Sequence, residues 1–497
     1  MKRGGFRAFG RRRKGFLAMT VGALPGLNLF IGGEWRGAAG RETLPVLNPA
    51  SGEAIGDLPL AGAQDLADAL ATAQRGFAAW RATAPEHRSA VLVRTAALIR
   101  ERADELAAIA TLEQGKLLTE ARGEAIGAAA ILEFHAGEAL RNYGRVLPRP
   151  PGLRSLVVKQ PVGPVAAFCA WNFPIINPVR KISPALAAGC SVILKPSEET
   201  PASAIAVMQC FQDAGLPVEV AQLVFGVPET VSRTLLASPV TRKLSFTGSV
   251  PVGKHLMRLA ADTVMRMTME LGGHSPVLVF DDCDLDKTLD TLVAHKFRNA
   301  GQVCVSPTRF HVQDAIYDRF AAGFAERAGR IKVGDGRLAD TGMGPTANPR
   351  RPETIEAMVE NARAGGARLL AGGGRGGSGG GFFFQPTVLG DVPLEAAAMN
   401  NEPFGPLALL RRFNTIEDAI EEANRLPFGL AAYCFTENGR RQSLLGEAVE
   451  AGMVVINNVR SSWPDAPFGG MKESGFGSED GPEGVEAHMV TKAIHAS

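Results

Sequence analysis

At 497 residues the chain exceeds what one hydrophobic core usually fills, so at least two packed domains are expected. Its 45% hydrophobic and 21% charged residues are those of an ordinary globular protein, which excludes disordered and collagen-like chains, and no apolar run approaches the roughly eighteen residues of a transmembrane helix. The formal charge of +2 owes its basic excess to the tip before Met19, where Lys2, Arg3, Arg7, Arg11, Arg12, Arg13 and Lys14 face no acids; the rest is slightly acidic and gives no support for a nucleic-acid partner.

Residues 1–26 read as a basic extension, expected to be a disordered tail or an upstream start ahead of Met19. Arg12-Arg13 followed by Phe16-Leu17 faintly resembles an export signal, but Asn28-Leu-Phe-Ile-Gly-Gly reads as a first strand and turn. From Asp65 to about Leu140 apolar residues recur at three or four residue spacing (Leu66, Leu70, Phe77; Leu92, Ala96, Ile99; Leu106, Ile109, Leu112), which predicts amphipathic packing helices. A proline-rich turn, Leu147 to Gly152, leads into the alternating run Leu153 to Lys159, one arm of a hairpin.

From Pro164 the pattern changes to short apolar strands, Val165–Ala170, Ser191–Leu194, Gln222–Phe225 and Lys243–Phe246, separated by helical stretches. That alternation predicts a parallel, doubly wound α/β sheet with its ligand at the carboxyl ends of the strands. A second alternating region, Pro276 to about Asn457, includes strands near Phe310 and at Ala431–Phe435 and reads as a second α/β domain. The glycine-rich stretch Ala371 to Gly381 lacks the Lys-Ser/Thr ending of a phosphate-binding loop and is expected to be a surface loop. The six cysteines form no C-x-x-C pair and the eight histidines are scattered, so a reduced, cytoplasmic protein without a bound metal is expected.

Several loops hold polar residues where a scaffold would not require them: Trp171-Asn-Phe-Pro174, Lys195-Pro-Ser-Glu198, Thr247-Gly-Ser249, Glu270-Leu-Gly-Gly273, Gly301-Gln-Val-Cys304 and Glu402-Pro-Phe-Gly-Pro406. Each alone is weak, since a lone cysteine is usually a small core residue. Together and in this order they resemble the aldehyde dehydrogenase superfamily, from about Leu27 to Lys492 and including Pro467-Phe-Gly-Gly-Met-Lys-Glu-Ser-Gly475.

The resemblance implies two doubly wound α/β domains and a small β oligomerisation element. The expected NAD-binding domain is 27–141 with 161–269, the catalytic domain 270–474, and the oligomerisation element 142–160 with 475–497, in a homodimer or homotetramer. Cys304 then corresponds to the nucleophile that adds to an aldehyde, and Asn172 with the Cys304 backbone N–H to the groups that hold the developing oxyanion. Glu270 corresponds to the base that activates water to release the acid, which argues against an acyl transfer to coenzyme A.

Trp171, Lys195, Ser197, Glu198, Gly248, Ser249, Glu402 and Phe404 fall at cofactor positions. Glu198 in particular would repel a 2′-phosphate, so NAD is expected over NADP. His274 stands where many relatives carry lysine or asparagine and is read as a tolerated change. Arg180 and Arg298 resemble the pair that holds a distal carboxylate in the succinate semialdehyde dehydrogenase branch; Ser461 and Trp463 fall at the family's substrate mouth, where Trp463 suits an aromatic or longer aldehyde. A cofactor-independent esterase would leave Lys195, Glu198 and Glu402 without purpose, and a non-catalytic relative would not need Cys304 or Glu270.

Overall fold

The computed structural model describes residues 24–377 and 380–497. Residues 1–23, most of the basic extension, and 378–379, within the glycine-rich loop, lie outside the described residues. The expected α/β architecture is present, among the described residues, as two large sheets, a three-stranded one and two two-stranded ribbons.

The first sheet has eight strands in the order Glu34–Arg36, Leu29–Ile31, Ala221–Leu223, Val192–Lys195, Val165–Phe168, Lys243–Gly248, Arg266–Leu271 and Gly475–Phe476. The strands from Ala221–Leu223 through Arg266–Leu271 run parallel, and antiparallel strands close both ends. Val165–Phe168 and Val192–Lys195 are buried at every residue, which explains their unbroken apolar sequences: a parallel strand covered on both faces has no solvent side to alternate with. Chain order reverses between Val165–Phe168 and Lys243–Gly248, which opens a crevice at the carboxyl ends of these strands.

The second sheet has seven strands in the order Arg368–Ala371, Thr387–Gly390, Leu407–Phe413, Pro307–Gln313, Ser275–Val279, Ala431–Phe435 and Met453–Ile456, all parallel except the first. It turns its amino ends toward the crevice: Gly272–Gly273, Val303–Cys304 and Glu402–Phe404 each lie just before one of its strands.

The long helical stretch resolves into Ala63–Trp80, Pro85–Glu101, Ala103–Gln114 and Leu118–Glu138. One break is Gly115, at φ +93, where a Cβ would stand 2.7 Å from the Pro345 ring; only glycine takes that turn without strain. The hairpin arm Arg154–Pro161 pairs with Arg145–Leu147 on one side and Met489–Ala496 on the other. The C-terminal stretch thus serves two sheets, since Gly475–Phe476 pairs with Met269–Glu270 before the chain reaches the three-stranded one. Among the described residues no helix is long and apolar enough to cross a membrane, and no cluster of His, Cys, Asp or Glu is placed to hold a metal.

Candidate active site

A cavity of about 1390 Å³ lies between the two large sheets, and every candidate site residue except Trp463 lines it. Trp463 stands half-exposed beside the cavity-lining residues Val459 to Ser462.

Cys304 follows a tight 3-10 turn, Arg298–Gly301, in which Asn299, Ala300 and Gly301 all take positive φ. At Gly301 a Cβ would stand 2.1 Å from the Gly405 carbonyl oxygen, so this glycine lets the Cys304 loop lie directly against the Glu402–Phe404 loop. Burial, with the nearby Glu402 carboxylate, pushes the Cys304 thiol up to about 12, against the pull of Arg180. At rest the group is therefore a thiol, and a base is required to make it a nucleophile.

Glu270 is 2% exposed, and neither of its carboxyl oxygens has a hydrogen-bond partner. Burial and the neighbouring Glu479 raise its pKa well above the ordinary carboxylate range, so the proton is held strongly. A buried carboxyl group with both oxygens unpartnered and facing a cavity is costly to keep and serves no packing purpose.

Asn172 donates one side-chain N–H to the Gln302 carbonyl at 3.1 Å and accepts from Asn177 Nδ2 at 3.3 Å, which fixes its amide beside the Cys304 loop. Its backbone is braced as well. Lys116 Nζ and Asn299 Nδ2 both donate to the Asn172 carbonyl, at 2.8 and 3.0 Å, while Lys116 pairs with buried Glu124 at 2.5 Å. Glu124 in turn accepts from the backbone N–H groups of Ile175 and Ile176 at 2.7 and 2.9 Å. None of these bracing residues stood out in the sequence; the only signal was a lysine and a glutamate eight apart at a helix start, a spacing shared by many surface pairs.

On the other side, Lys195 forms an ion pair with Glu198 at 2.5 Å beside Ser197. The helix Val250–Ala261 begins at Ser249 with no side chain capping its first N–H groups, leaving them free for an anion. Gly248 lies so close to the Phe246 ring that a Cβ would stand 2.4 Å from it. Glu402 reaches across to the glycine turn, accepting from Gly273 N–H at 3.3 Å, and a Cβ on Gly272 would stand 2.4 Å from its Oε2. Burial pushes Glu402 up to about 8. Phe404, at φ +44, meets Trp171 edge to face with centroids 5.4 Å apart.

The two arginines expected to act together differ sharply. Arg180 is buried and paired with Asp480, whereas Arg298 is exposed and lies over the Phe173 ring at 5.4 Å. Lys181 pairs with Glu479 in the interior, and buried His274 is bonded through Nε2 to the Ala398 carbonyl at 2.8 Å, with its pKa pushed far down by burial, so it is neutral and fixed.

The family model that matches this chain is that of the aldehyde dehydrogenase family, over residues 35–494. A 4-(hydroxymethyl)benzenesulfonate dehydrogenase of Comamonas testosteroni is 48% identical over 468 residues, 94% of this chain and 97% of that one. The NADP-dependent succinate-semialdehyde dehydrogenase of Escherichia coli K12 is 42% identical over 463 residues, 93% of this chain and 96% of that one. Among solved structures, a succinate-semialdehyde dehydrogenase from Burkholderia pseudomallei superposes with a TM-score of 0.93 at 42% identity, covering 95% of this chain and 98% of that one.

Proposed function

The chain belongs to the aldehyde dehydrogenase family, and from that premise we propose that it oxidises an aldehyde bearing a distal anionic group to the carboxylic acid, with NAD and through a Cys304 thioester. The observation that carries this reading is the convergence of Cys304, Glu270 and Asn172 on one cavity that also holds the Lys195–Glu198 pair, the free helix start at Ser249 and Glu402. The first sheet with its helices is the cofactor half and the second carries the nucleophile. The three-stranded sheet, with Val146 and Ile494 exposed, is the association element of a homo-oligomer.

The cradle fits a dinucleotide. Gly248 and Gly272 bring backbone close where side chains would intrude, the helix start at Ser249 offers N–H groups to a pyrophosphate, and Glu198 and Lys195 suit ribose hydroxyls. The Glu198 carboxylate would repel a 2′-phosphate held beside Lys195, which supports NAD. When bound, the nicotinamide supplies the hydride acceptor.

Loss of the Cys304 proton to water in the cavity gives a thiolate that adds to the aldehyde carbon, and the negative charge moves to the aldehyde oxygen. Asn172, with one side-chain N–H directed at Gln302, keeps the other free of protein acceptors among the described residues and can meet that oxygen together with the Cys304 backbone N–H. Collapse of the oxyanion expels hydride and leaves a thioester on Cys304. Once ionised, Glu270, with both oxygens open, takes a proton from water, whose oxygen attacks the thioester, and Cys304 departs as the thiolate.

Succinate semialdehyde is the first candidate substrate, supported by relatives of that name and by Arg298 in the cavity wall. A ring-bearing aldehyde is the second, favoured by Trp463 at the mouth and by the Comamonas relative. The test is formation of reduced cofactor from NAD or NADP with succinate semialdehyde, 4-sulfobenzaldehyde, benzaldehyde and hexanal, beside Cys304→Ala. Turnover with NAD that the substitution abolishes is expected; turnover that survives in Cys304→Ala would refute the covalent route.

A further inference from the structure

Arg180 cannot readily serve a substrate anion. Its Nε donates to both oxygens of Asp480 at 3.2 and 3.1 Å, and its Nη2 donates to Asp480 at 2.7 Å and to Ser462 Oγ at 2.5 Å. The guanidinium also lies on the Phe468 ring at 4.2 Å, and both members of the pair are buried. Such a pair offers the cavity little net charge, and turning Arg180 toward a ligand would strand Asp480 as an unpaired buried carboxylate.

Two other arginines line the same cavity with no acid to neutralise them. Arg298 and Arg460 are both exposed, and among the described residues neither takes part in an ion pair. Each guanidinium carbon lies over an aromatic ring, that of Arg298 5.4 Å from the Phe173 centroid and that of Arg460 3.4 Å from the Trp463 centroid, and Arg460 Nε donates to the Ser462 carbonyl at 3.4 Å. Among the described residues the terminal Nη groups of both arginines meet no protein acceptor, and these are donors that a carboxylate or sulfonate can accept from. Tyr433 ties the two segments together. Its hydroxyl donates to the Val305 carbonyl at 2.6 Å and lies 3.5 Å from Nε2 of His295, one helical turn before Arg298, and it also meets the side chain of Ser461, the neighbour of Arg460.

We propose that Arg460, together with Arg298, forms an anion subsite at the rim of the cavity that takes the terminal carboxylate or sulfonate of the aldehyde, and that Arg180 stands outside it as part of an internal ion pair. The assignment rests on the aldehyde-oxidising reading and names the residues that set its specificity. The aldehyde end reaches down to Asn172 and Glu270, 3% and 2% exposed, while the anionic end stays where the exposed arginines stand.

The test compares kcat/KM for anionic and neutral partners of like shape, 4-carboxybenzaldehyde and 4-sulfobenzaldehyde against benzaldehyde, and succinate semialdehyde against butanal, in the wild type, Arg460→Gln, Arg460→Lys and Arg298→Gln. Loss of one charge-assisted contact should lower the anionic-to-neutral ratio about tenfold or more in each Gln variant, mainly through KM, with partial recovery in Arg460→Lys. The ring and chain pairs show which carrier the rim accepts. A ratio that stays within about twofold in Arg460→Gln, or a loss shared equally by neutral aldehydes, overturns the assignment. Calorimetric binding of terephthalate to the full-length Cys304→Ala protein reads the subsite without turnover: affinity weakened about tenfold by Arg460→Gln supports it, and unchanged affinity refutes it whatever the fate of the catalytic reading.

Discussion

Replacing Glu402 with glutamine should stabilise the cofactor-free protein, and do so increasingly as pH rises. Glu402 is buried beneath the glycine turn and holds its proton up to about pH 8, against an ordinary value of 4.5. Between those values the folded chain retains a proton that the unfolded chain has released, so wild-type stability falls with rising pH, by about 1.4 kcal/mol per unit, and the loss levels off near 5 kcal/mol above pH 8. Glutamine keeps the acceptor for Gly273 N–H and carries no such linkage. Lys296, pushed down to about 7 by burial, works in the opposite direction from pH 7 upward, and because Glu402 pulls its pKa up, the difference between the two proteins reports Glu402 together with its coupling to Lys296. Urea unfolding of both proteins from pH 5 to 9 should give curves that nearly meet at the acid end and diverge by several kcal/mol at the alkaline end. Parallel curves would refute the claim that burial keeps Glu402 protonated.

Two further substitutions probe the nucleophile and its base. Glu270→Gln should still form the thioester but hydrolyse it slowly, giving a burst of about one reduced cofactor per subunit and then a steady rate lower by about 10² to 10⁴; the wild-type hydrolysis step should quicken with rising pH, because burial and Glu479 hold the Glu270 proton. Stopped-flow absorbance checks this, and an unaltered steady rate would assign water activation to another group. Gly301→Ala places a methyl 2.1 Å from the Gly405 carbonyl in a left-handed backbone, so it should destabilise by about 2–4 kcal/mol and lower alkylation of Cys304 by iodoacetamide, whereas Gly123→Ala, whose Cβ meets open space, should do neither.

The parts of the fold that depend on local pattern were readable in advance. Short apolar strands such as Val192–Lys195 announce a sheet covered on both sides, and the loop motifs around Asn172, Glu270 and Cys304 converge as their order implied. What was hidden is whatever depends on partners far apart in the chain. Arg180 reads as a ligand-binding cation until Asp480, 300 residues later, is seen to hold it. Lys116 gives no sign that it braces Asn172, because its pairing with Glu124 becomes a buried contact only when the helix start packs beneath that loop. The left-handed turn before Cys304 is equally silent at Asn299 and Ala300, whose types do not demand positive φ; tertiary packing imposes it.

The edge strand Gly475–Phe476 has a bearing on how the molecule is made. Its partner strand, which carries Glu270, leaves the ribosome some two hundred residues earlier, and Glu479 and Asp480, which face Lys181 and Arg180, follow immediately after that edge strand. During synthesis the first sheet therefore lacks its final edge, and two buried cations wait without counter-charges, until residues 475–480 emerge. A truncated product ending before Gly475 would retain Cys304, Asn172 and Glu270, yet have no complete wall around them. Closure of this cavity wall therefore waits on residues 475–480, long after the strand that carries Glu270 has been made.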